Sequence, residues 1–295
     1  MRRVALIVNP QAGRGAAARL APQVLAQLRA LGIECEPRYT RAPGEATALA
    51  AEALRAGADC VAVAGGDGTL NEAVNGYIGV ARDGQSLACI PIGSGNDFAK
   101  MLGTAGDWRL ACGRIAQGAL RRVDAGVCNG RYFANGIGAG FDAQVALEAK
   151  SVRWLRGNAI YGAALARTLM LRHSMPRVRL VHDAGTIERN ITLVAAANGA
   201  CYGGAFRMAP GADIADWLLD LVVADALSRI GILGLVPHVL RGTHIGRRGV
   251  TMLRTRRLTL VSEEPLVVHA DGEIVERAAT RLSIEVLPGA LLVAA

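Results

Sequence analysis

The chain has 295 residues, of which 52% are hydrophobic, and it carries a formal net charge of +8 at pH 7. This composition supplies enough apolar residues for one large or two ordinary packed domains. It argues against a membrane-spanning protein, because no segment approaches the roughly 18–20 uninterrupted apolar residues that cross a bilayer. Aromatic residues make up only 4% of the chain, so we expect no stacking platform for nucleic acid and no nucleic-acid partner.

The six cysteines show no CxxC pairing, and several of them lie in apolar runs. This usage is typical of reduced, buried thiols in a cytosolic protein. The first apolar run ends after five residues at Asn9-Pro10, which predicts a strand rather than a signal peptide. We therefore expect a cytoplasmic protein. The positive charge suits a polyanionic nucleotide or anionic lipid headgroups, although arginine-rich usage can also reflect genomic composition alone.

The first 123 residues alternate short apolar runs with helical patterns. Helices are predicted at 16–31, 44–56 and 107–117, each ending at a glycine. Strands are predicted at 4–8, 35–39, 61–64 and 87–90. This alternation is typical of βαβ units, so we predict an α/β domain with a parallel sheet.

Three of these predicted strands are followed by glycine-rich loops, at 9–15, 65–69 and 91–97. Glycine allows a phosphate to approach the backbone closely, and the following helix N-terminus favours an anion. Because the carboxyl ends of parallel strands share one edge of a sheet, the loops should converge on one ligand. Asp67, beside such a phosphate, indicates a divalent cation. A purely structural explanation stays open, since Thr69 with Glu72 and Ser94 with Asp97 have capping-box spacing.

From residue 124 onward, short β-branched runs dominate. They lie at 177–181, 190–194, 219–223, 257–261, 266–269 and 281–286, and several alternate polar and apolar residues. This pattern predicts antiparallel strands and a β-sandwich domain over 124–280. Two helical stretches interrupt it, at 154–172 and 227–241. They are either core helices or faces that touch a membrane, and Trp154 between Arg153 and Arg156 fits interfacial anchoring.

Two motifs resemble the catalytic domain of the diacylglycerol kinase family, and most of all its soluble bacterial lipid kinases. They are GGDGTLNE at 65–72 and PIGSGND at 91–97. The resemblance continues in the family's order through Asn9-Pro10, Asp124-Ala125-Gly126, 135–142 and Asp271-Gly272-Glu273, and so covers nearly the whole chain. The glycine-rich residues 136–142 are expected to form a loop that resembles the family's acceptor-side segment, although a β-bulge or tight bend explains the glycines equally well. It implies a nucleotide-binding α/β domain over 1–123, to which residues 281–295 return, and a β-sandwich domain that binds the lipid acceptor.

The resemblance implies an ATP- and Mg²⁺-dependent lipid kinase that phosphorylates a hydroxyl of diacylglycerol or a related lipid. Asp271 matches the family's general base, although Asp-Gly is equally a hairpin-turn signal. Asp67, Asp97 and Asp124 would form the network around the catalytic Mg²⁺, although Asp124 could equally be a turn residue before Gly126. The residues expected at the nucleotide are Asn9, Thr40, Gly65, Gly66, Asp67, Gly68, Thr69, Ser94, Asn96 and Glu273.

Residues 209–220 resemble the loop that holds a structural Mg²⁺ in the bacterial family. By that match, Asp216 would bind the metal through its carboxylate, and Asp213 and Leu218 through backbone carbonyls. The family typically has Asp-Asp-Gly where this chain has Ala215-Asp216-Trp217. The departure weakens the match, because tryptophan enters the φ > 0 region less readily than glycine.

Two other functions stay open at this point. One is an NAD kinase-like phosphotransferase, which shares the GGDG motif. The other is a nucleotide- or lipid-binding regulator that has lost catalysis, which the altered 213–218 loop motivates. The retained acidic residues favour a kinase. A lipid acceptor implies transient contact with the inner face of the membrane, and a homodimer is compatible with the sequence.

Overall fold

The computed structural model describes residues 3–151 and 158–295. Contacts divide them into two units. Unit 1 contains the described residues up to Ala125 together with Leu287–Ala295, and unit 2 contains those of Gly126–Val286. The sequence predicts domain boundaries after residue 123 and at residue 281, whereas the contacts place them after Ala125 and at Leu287.

Unit 1 is an α/β domain built on a parallel sheet, as predicted. Its strands are β1 (Arg3–Val8), β2 (Glu34–Tyr39), β3 (Cys60–Gly65) and β4 (Ser86–Pro91). They lie in the order β2-β1-β3-β4, and each neighbouring pair is parallel. In the C-terminal segment of unit 1, Val293 adds to the edge by pairing with Leu87 of β4.

The helices of unit 1 follow the strands in alternation. They are α1 (Ala12–Ala30), α2 (Glu45–Arg55), α3 (Asp67–Tyr77), α4 (Asp97–Met101) and α5 (Trp108–Gln117). Residues 13–15 of α1 have non-helical dihedral angles, so the regular helix starts near residue 16, as predicted. Strand β3 is buried along its whole length, as expected for a parallel sheet covered on both faces.

Unit 2 is an antiparallel β structure whose strands enclose a large hydrophobic core. The strands are β5 (Leu120–Cys128, which begins in unit 1), β6 (Arg131–Phe133), β7 (Gly136–Gly140), β8 (Arg177–His182), β9 (Gly185–Ala197), β10 (Leu219–Asp225), β11 (Val250–Thr255), β12 (Arg257–Ala270) and β13 (Glu273–Ala294, which ends in unit 1). The long strands β9 and β12 each pair with both β7 and β8, which folds the sheet around the core. Phe133, Leu180 and Leu260 lie at its centre and are fully buried.

The helices of unit 2 are α6 (Phe141–Ser151), α7 (Asn158–Leu171) and α8 (Arg229–Arg241). Helices α7 and α8 fall within the stretches that the sequence predicts. The proposed membrane anchor Trp154, with Arg153 and Arg156, lies outside the described residues. No helix in the described part of the chain is long and apolar enough to cross a bilayer.

Two local predictions in unit 2 are wrong. The glycine-rich segment 136–142 is predicted as a loop, but it forms strand β7 and the start of α6. Glycine occurs at these positions because a larger residue would not fit. A Cβ on Gly136 would overlap the Tyr202 ring, and one on Gly138 would overlap Asp142. The runs 257–261 and 266–269 are predicted as separate strands, but both belong to β12, whose register shifts between Val261 and Leu266.

Candidate active site

The loops that follow β1 to β4 lie at one edge of the parallel sheet of unit 1. Asn9 follows β1, Thr40 follows β2, and the remaining residues expected at the nucleotide in unit 1 follow β3 and β4. Backbone bonds join neighbouring strand ends. The Asn9 N–H donates to the Ala64 carbonyl at 3.2 Å, and the Thr40 N–H donates to the Val8 carbonyl at 2.9 Å. These loops therefore lie together at one edge of the sheet, as the sequence predicts.

The loops after β3 and β4 touch each other through glycine. A Cβ on Gly66 would stand 3.1 Å from the Cα of Gly93, and one on Gly93 would overlap Gly66. Gly66 has a φ of −108°, an angle that any residue adopts, so glycine is required here by space rather than by conformation. Gly65 is similarly confined by the Thr69 side chain. The result is a backbone surface without side chains at the N-terminus of α3.

Asp67 joins the two loops. One of its carboxylate oxygens, Oδ1, accepts from the N–H of Asp97 at 2.6 Å and from that of Phe98 at 3.4 Å. These N–H groups open α4, so the carboxylate of Asp67 caps that helix. The carboxylate of Asp97 is buried and lies 2.6 Å from the ammonium group of Lys100. The structure thus brings Asp67 and Asp97 together, and it adds a cation that the sequence argument missed.

Both predicted capping boxes are wrong. Thr69 lies inside α3, and its hydroxyl accepts from the side-chain amide of Asn9 at 2.9 Å. The carboxylate of Glu72 caps a different helix, since it accepts from the N–H groups of Gly44 at 2.8 Å and Ala46 at 3.1 Å, at the start of α2.

The second box fails in the same way. Asp97 is the first residue of α4 and pairs with Lys100, while Ser94 makes no capping bond to that helix. Asn96 instead organises the loop, because its side-chain oxygen accepts from the Gly93 N–H at 2.9 Å and its amide donates to the Gly93 carbonyl.

Asp124 lies within strand β5 and is fully buried. Its carboxylate accepts from the N–H of Gly289 at 2.7 Å, which ties the C-terminal segment of unit 1 to β5. The alternative of a simple turn residue before Gly126 is therefore wrong.

In unit 2, Asp271 occupies the tight turn between β12 and β13. Its φ of 49° and the φ of 83° at Gly272 are typical of the Asp-Gly hairpin turn. The carboxylate also accepts backbone N–H groups, from Ala134 at 2.8 Å and from Asn135 and Gly136 at 2.9 Å each. Asp271 is thus a hairpin-turn residue, and its half-buried carboxylate is also held in a fixed position.

His269 supports this turn from inside the core. Its Nδ1 accepts from the N–H of Gly272 at 3.3 Å, and its Nε2 lies 3.2 Å from the carboxylate of Asp142. Because Nδ1 accepts, we assign the ring proton to Nε2, which then donates to Asp142. His269 also packs edge-on against Tyr202, at 5.6 Å between ring centroids. It is a packed strand residue, and it positions the turn that carries Asp271.

Glu273, expected at the nucleotide, lies in unit 2 at the start of β13. Its carboxylate pairs with the ammonium group of Lys150 on α6 at 2.6 Å, and both side chains are about half exposed. The sequence contains only two lysines, Lys100 and Lys150. Each of them pairs with an acidic residue of a motif that the resemblance singles out.

Comparison with known proteins identifies the family that the chain matches. Residues 3–128 match the diacylglycerol kinase catalytic domain, and residues 135–295 match the YegS C-terminal NAD kinase beta sandwich-like domain. A Mycobacterium tuberculosis protein named diacylglycerol kinase is 32% identical over 92% of this chain and 88% of its own length. One of the same name from Bacillus subtilis is 30% identical over 92% and 90%. A crystal structure from Bacillus anthracis str. Sterne has a TM-score of 0.82 at 26% identity, covering 99% of this chain and 96% of that one.

The chain belongs to the diacylglycerol kinase family. It is therefore a lipid kinase, an enzyme that phosphorylates an alcohol acceptor, and the fold class that the sequence predicts is confirmed.

The residues of the 213–218 loop do not fit the structural metal of this family. The carboxylate of Asp216 accepts from the Leu218 N–H at 3.1 Å and lies 3.5 Å from the guanidinium of Arg254. The same guanidinium lies 3.3 Å from the carboxylate of Asp220. Burial raises the pKa of Asp220, and Arg254 opposes this shift. The guanidinium of Arg254 thus compensates the charge of both carboxylates.

Two further observations concern the backbone of this loop. The carboxylate of Asp213 accepts from the Ala215 N–H at 3.1 Å. Trp217 adopts a φ of 65°, the left-handed conformation that glycine enters most readily. Because Arg254 already compensates the charge of Asp216, we propose that no structural Mg²⁺ binds at Asp213, Asp216 and Leu218.

Proposed function

We propose that this lipid kinase uses ATP and Mg²⁺ to phosphorylate a hydroxyl of diacylglycerol or a related lipid. The observation that carries the proposal is the pair of glycine loops in contact at the N-terminus of α3. Gly66 and Gly93 leave bare backbone beside a helix start, where N–H groups and the helix dipole favour phosphate. Unit 1 would be the nucleotide-binding domain and unit 2 the lipid-acceptor domain.

The polar side chains along this edge would bind the nucleotide. Asn9 and Thr69 are already bonded to each other beside α3, and Thr40, Ser94 and Asn96 follow neighbouring strands. Hydroxyl and amide groups of this kind bond phosphate oxygens without adding charge. Glu273 is the remaining residue that we propose for nucleotide binding, and its pairing with Lys150 would fix its direction.

Asp67, Asp97 and Asp124 would hold the catalytic Mg²⁺, in part through water. Mg²⁺ typically binds one or two carboxylates and fills its remaining positions with water and phosphate oxygens. Asp67 uses its Oδ1 to cap α4, and the carboxylate of Asp97 pairs with Lys100. Contact with the metal through water would leave these bonds in place. The metal would neutralise charge on the transferred phosphoryl group.

Asp271 would be the general base. As the acceptor oxygen bonds to the γ-phosphorus and the bond to the leaving ADP oxygen breaks, its carboxylate would take the hydroxyl proton. Bonds from the N–H groups of Ala134, Asn135 and Gly136 support this role, because they fix the position of the carboxylate. Since the acceptor is a lipid and ATP is cytoplasmic, the enzyme would act transiently at the inner face of the membrane.

Transfer of label from γ-labelled ATP with Mg²⁺ into a total lipid extract tests this function, with NAD as a parallel acceptor. Label in a lipid would support the proposal, and the labelled product would identify the acceptor. Label in NAD alone would favour the NAD kinase-like alternative. Stoichiometric ATP binding without transfer to either acceptor would favour a regulator that has lost catalysis.

A further inference from the structure

Helix α8 is apolar on its exposed side as well as on its buried side. Ile232 is buried against α6 and α7, whereas Ile230 is 82% exposed and Leu233 is 53% exposed. The exposed positions recur at helical spacing, so they form a continuous stripe. Its members are Ile230, Leu233, Gly234, Pro237 and Leu240. A helix that is apolar all round is normally covered.

The end of α7 extends this stripe. Met170 is 67% exposed and Leu171 is 65% exposed. The guanidinium of Arg229, at the start of α8, reaches the Met170 carbonyl at 3.5 Å, and the His173 ring bonds to the Leu227 carbonyl at 2.9 Å. These contacts place the exposed end of α7 beside the start of α8. We call Met170, Leu171, Ile230, Leu233 and Leu240 the apolar face.

The charges around the apolar face are positive. No Asp or Glu occurs between Asp225 and Glu263, a segment that contains seven arginines. Among these, Arg229 and Arg241 flank α8, and Arg247 and Arg248 are exposed shortly after it.

The nearby acidic groups are already paired with arginine. Glu148 of α6 lies 2.8 Å from Arg167, and Asp225 lies 2.7 Å from Arg189. The apolar face therefore carries flanking positive charge.

We propose that the apolar face docks onto an anionic lipid bilayer. Exposed aliphatic side chains flanked by arginine are typical of helices that lie in a membrane interface, where the apolar groups enter the acyl boundary and the cations meet anionic headgroups. The inference rests on the proposed function, because a lipid acceptor brings the enzyme to the bilayer. It adds which surface of unit 2 makes the contact. The positive flanks favour a bilayer over a second copy of this cationic chain.

Vesicle co-sedimentation tests the docking surface separately from catalysis. The full chain is mixed with vesicles of phosphatidylcholine alone or with about one third phosphatidylglycerol. The test variant is Ile230→Ser/Leu233→Ser, and the matched control is Leu110→Ser, which changes an exposed leucine on α5 of unit 1. Because the side chains are exposed, both variants should keep the wild-type melting temperature. Binding to anionic vesicles should weaken at least about tenfold in the double variant and stay unchanged in the control.

Phosphorylation of a water-dispersed short-chain diacylglycerol, measured in the same preparations, separates the two hypotheses. Docking predicts that the double variant keeps this activity but loses activity on vesicle-borne substrate. If no lipid is phosphorylated by the wild type, the proposed function fails whatever the vesicles show. Equal vesicle binding by the wild type and the double variant would overturn the docking proposal. The docking proposal would also be overturned if the wild type were a dimer and the double variant a monomer, because a second copy would then cover the apolar face.

Discussion

Replacement of Asp271 by asparagine tests the base and its fixed position together. The carboxylate uses Oδ1 for the N–H groups of Asn135 and Gly136 and Oδ2 for that of Ala134. In the best placement, the amide oxygen of asparagine keeps the first two bonds. Its NH₂ group then faces the Ala134 N–H, donor against donor.

The cost of Asp271→Asn follows from this geometry. The variant loses one hydrogen bond to a charged group, which lowers the free energy of unfolding by about 1.5–3 kcal/mol. Since about 1 kcal/mol shifts the melting temperature of a domain of this size by about 2–4 °C, we expect a drop of roughly 3–12 °C. Loss of the base should lower turnover by roughly 10²–10⁴ at a temperature where the variant is folded. ATP binding should persist, and calorimetry and a labelled-ATP assay measure these effects.

Asp183→Asn is the control for lost stability. Asp183 lies in the turn between β8 and β9, and its carboxylate accepts from the Arg256 N–H at 2.6 Å. This bond lowers the pKa of Asp183. The control variant should lose stability but keep its turnover. Near-normal turnover in Asp271→Asn would remove Asp271 from the mechanism. An equal loss of turnover in both variants would mean that stability, not proton transfer, explains the effect.

Further expectations concern the phosphate loop, the metal and the thiols. Gly66→Val should weaken ATP binding at least about tenfold, because the new side chain would push against Gly93 and distort the phosphate approach between the two loops; equilibrium dialysis that gave an unchanged Kd would make the loop structural only. EDTA should leave the wild-type melting temperature unchanged in calorimetry, because Arg254 already compensates the charge of Asp216, and a clear drop would contradict our account of that loop. Burial raises the pKa of Cys35 and of Cys128 to about 12, so a thiol-alkylating reagent at pH 8 should not label them before unfolding; peptide mapping that located rapid native-state labelling at either residue would contradict this.

Much of unit 1 could be predicted because its signals are local. The stretches 16–31, 44–56 and 107–117 carry helical spacing, and each ends at a glycine with positive φ, at residues 32, 57 and 118. The apolar runs between them have the length of buried strands. Because the carboxyl ends of parallel strands share one edge of the sheet, the convergence of the glycine loops could be predicted from the βαβ pattern.

The partners of individual side chains could not be predicted in the same way. Glu72 has capping-box spacing to Thr69, yet its carboxylate caps α2, which lies far away in sequence. The spacing is correct, but the tertiary contact between α2 and α3 determines the bond. The ion pair of Lys100 with Asp97 was predictable in principle, because Lys100 lies three positions after Asp97 on a helix.

The remaining errors in unit 2 also arise from tertiary contacts. Residues 136–140 form a strand because they pair with β9 and β12. Their glycines leave room for Tyr202, His269 and Asp142, and no pattern within the segment signals these contacts. Trp217 adopts a left-handed conformation that its residue type disfavours. At such positions the surrounding fold, rather than local preference, determines the backbone.

The most direct test of the central claim is transfer from γ-labelled ATP to purified dioleoylglycerol in mixed micelles, with Mg²⁺ or with EDTA. The product is separated by chromatography and identified by mass. Our account predicts labelled phosphatidic acid with Mg²⁺, none with EDTA, and a strongly reduced amount with Asp271→Asn. Failure of the wild-type enzyme to label dioleoylglycerol or any lipid of a total extract, while it phosphorylates NAD or only binds ATP, would contradict it.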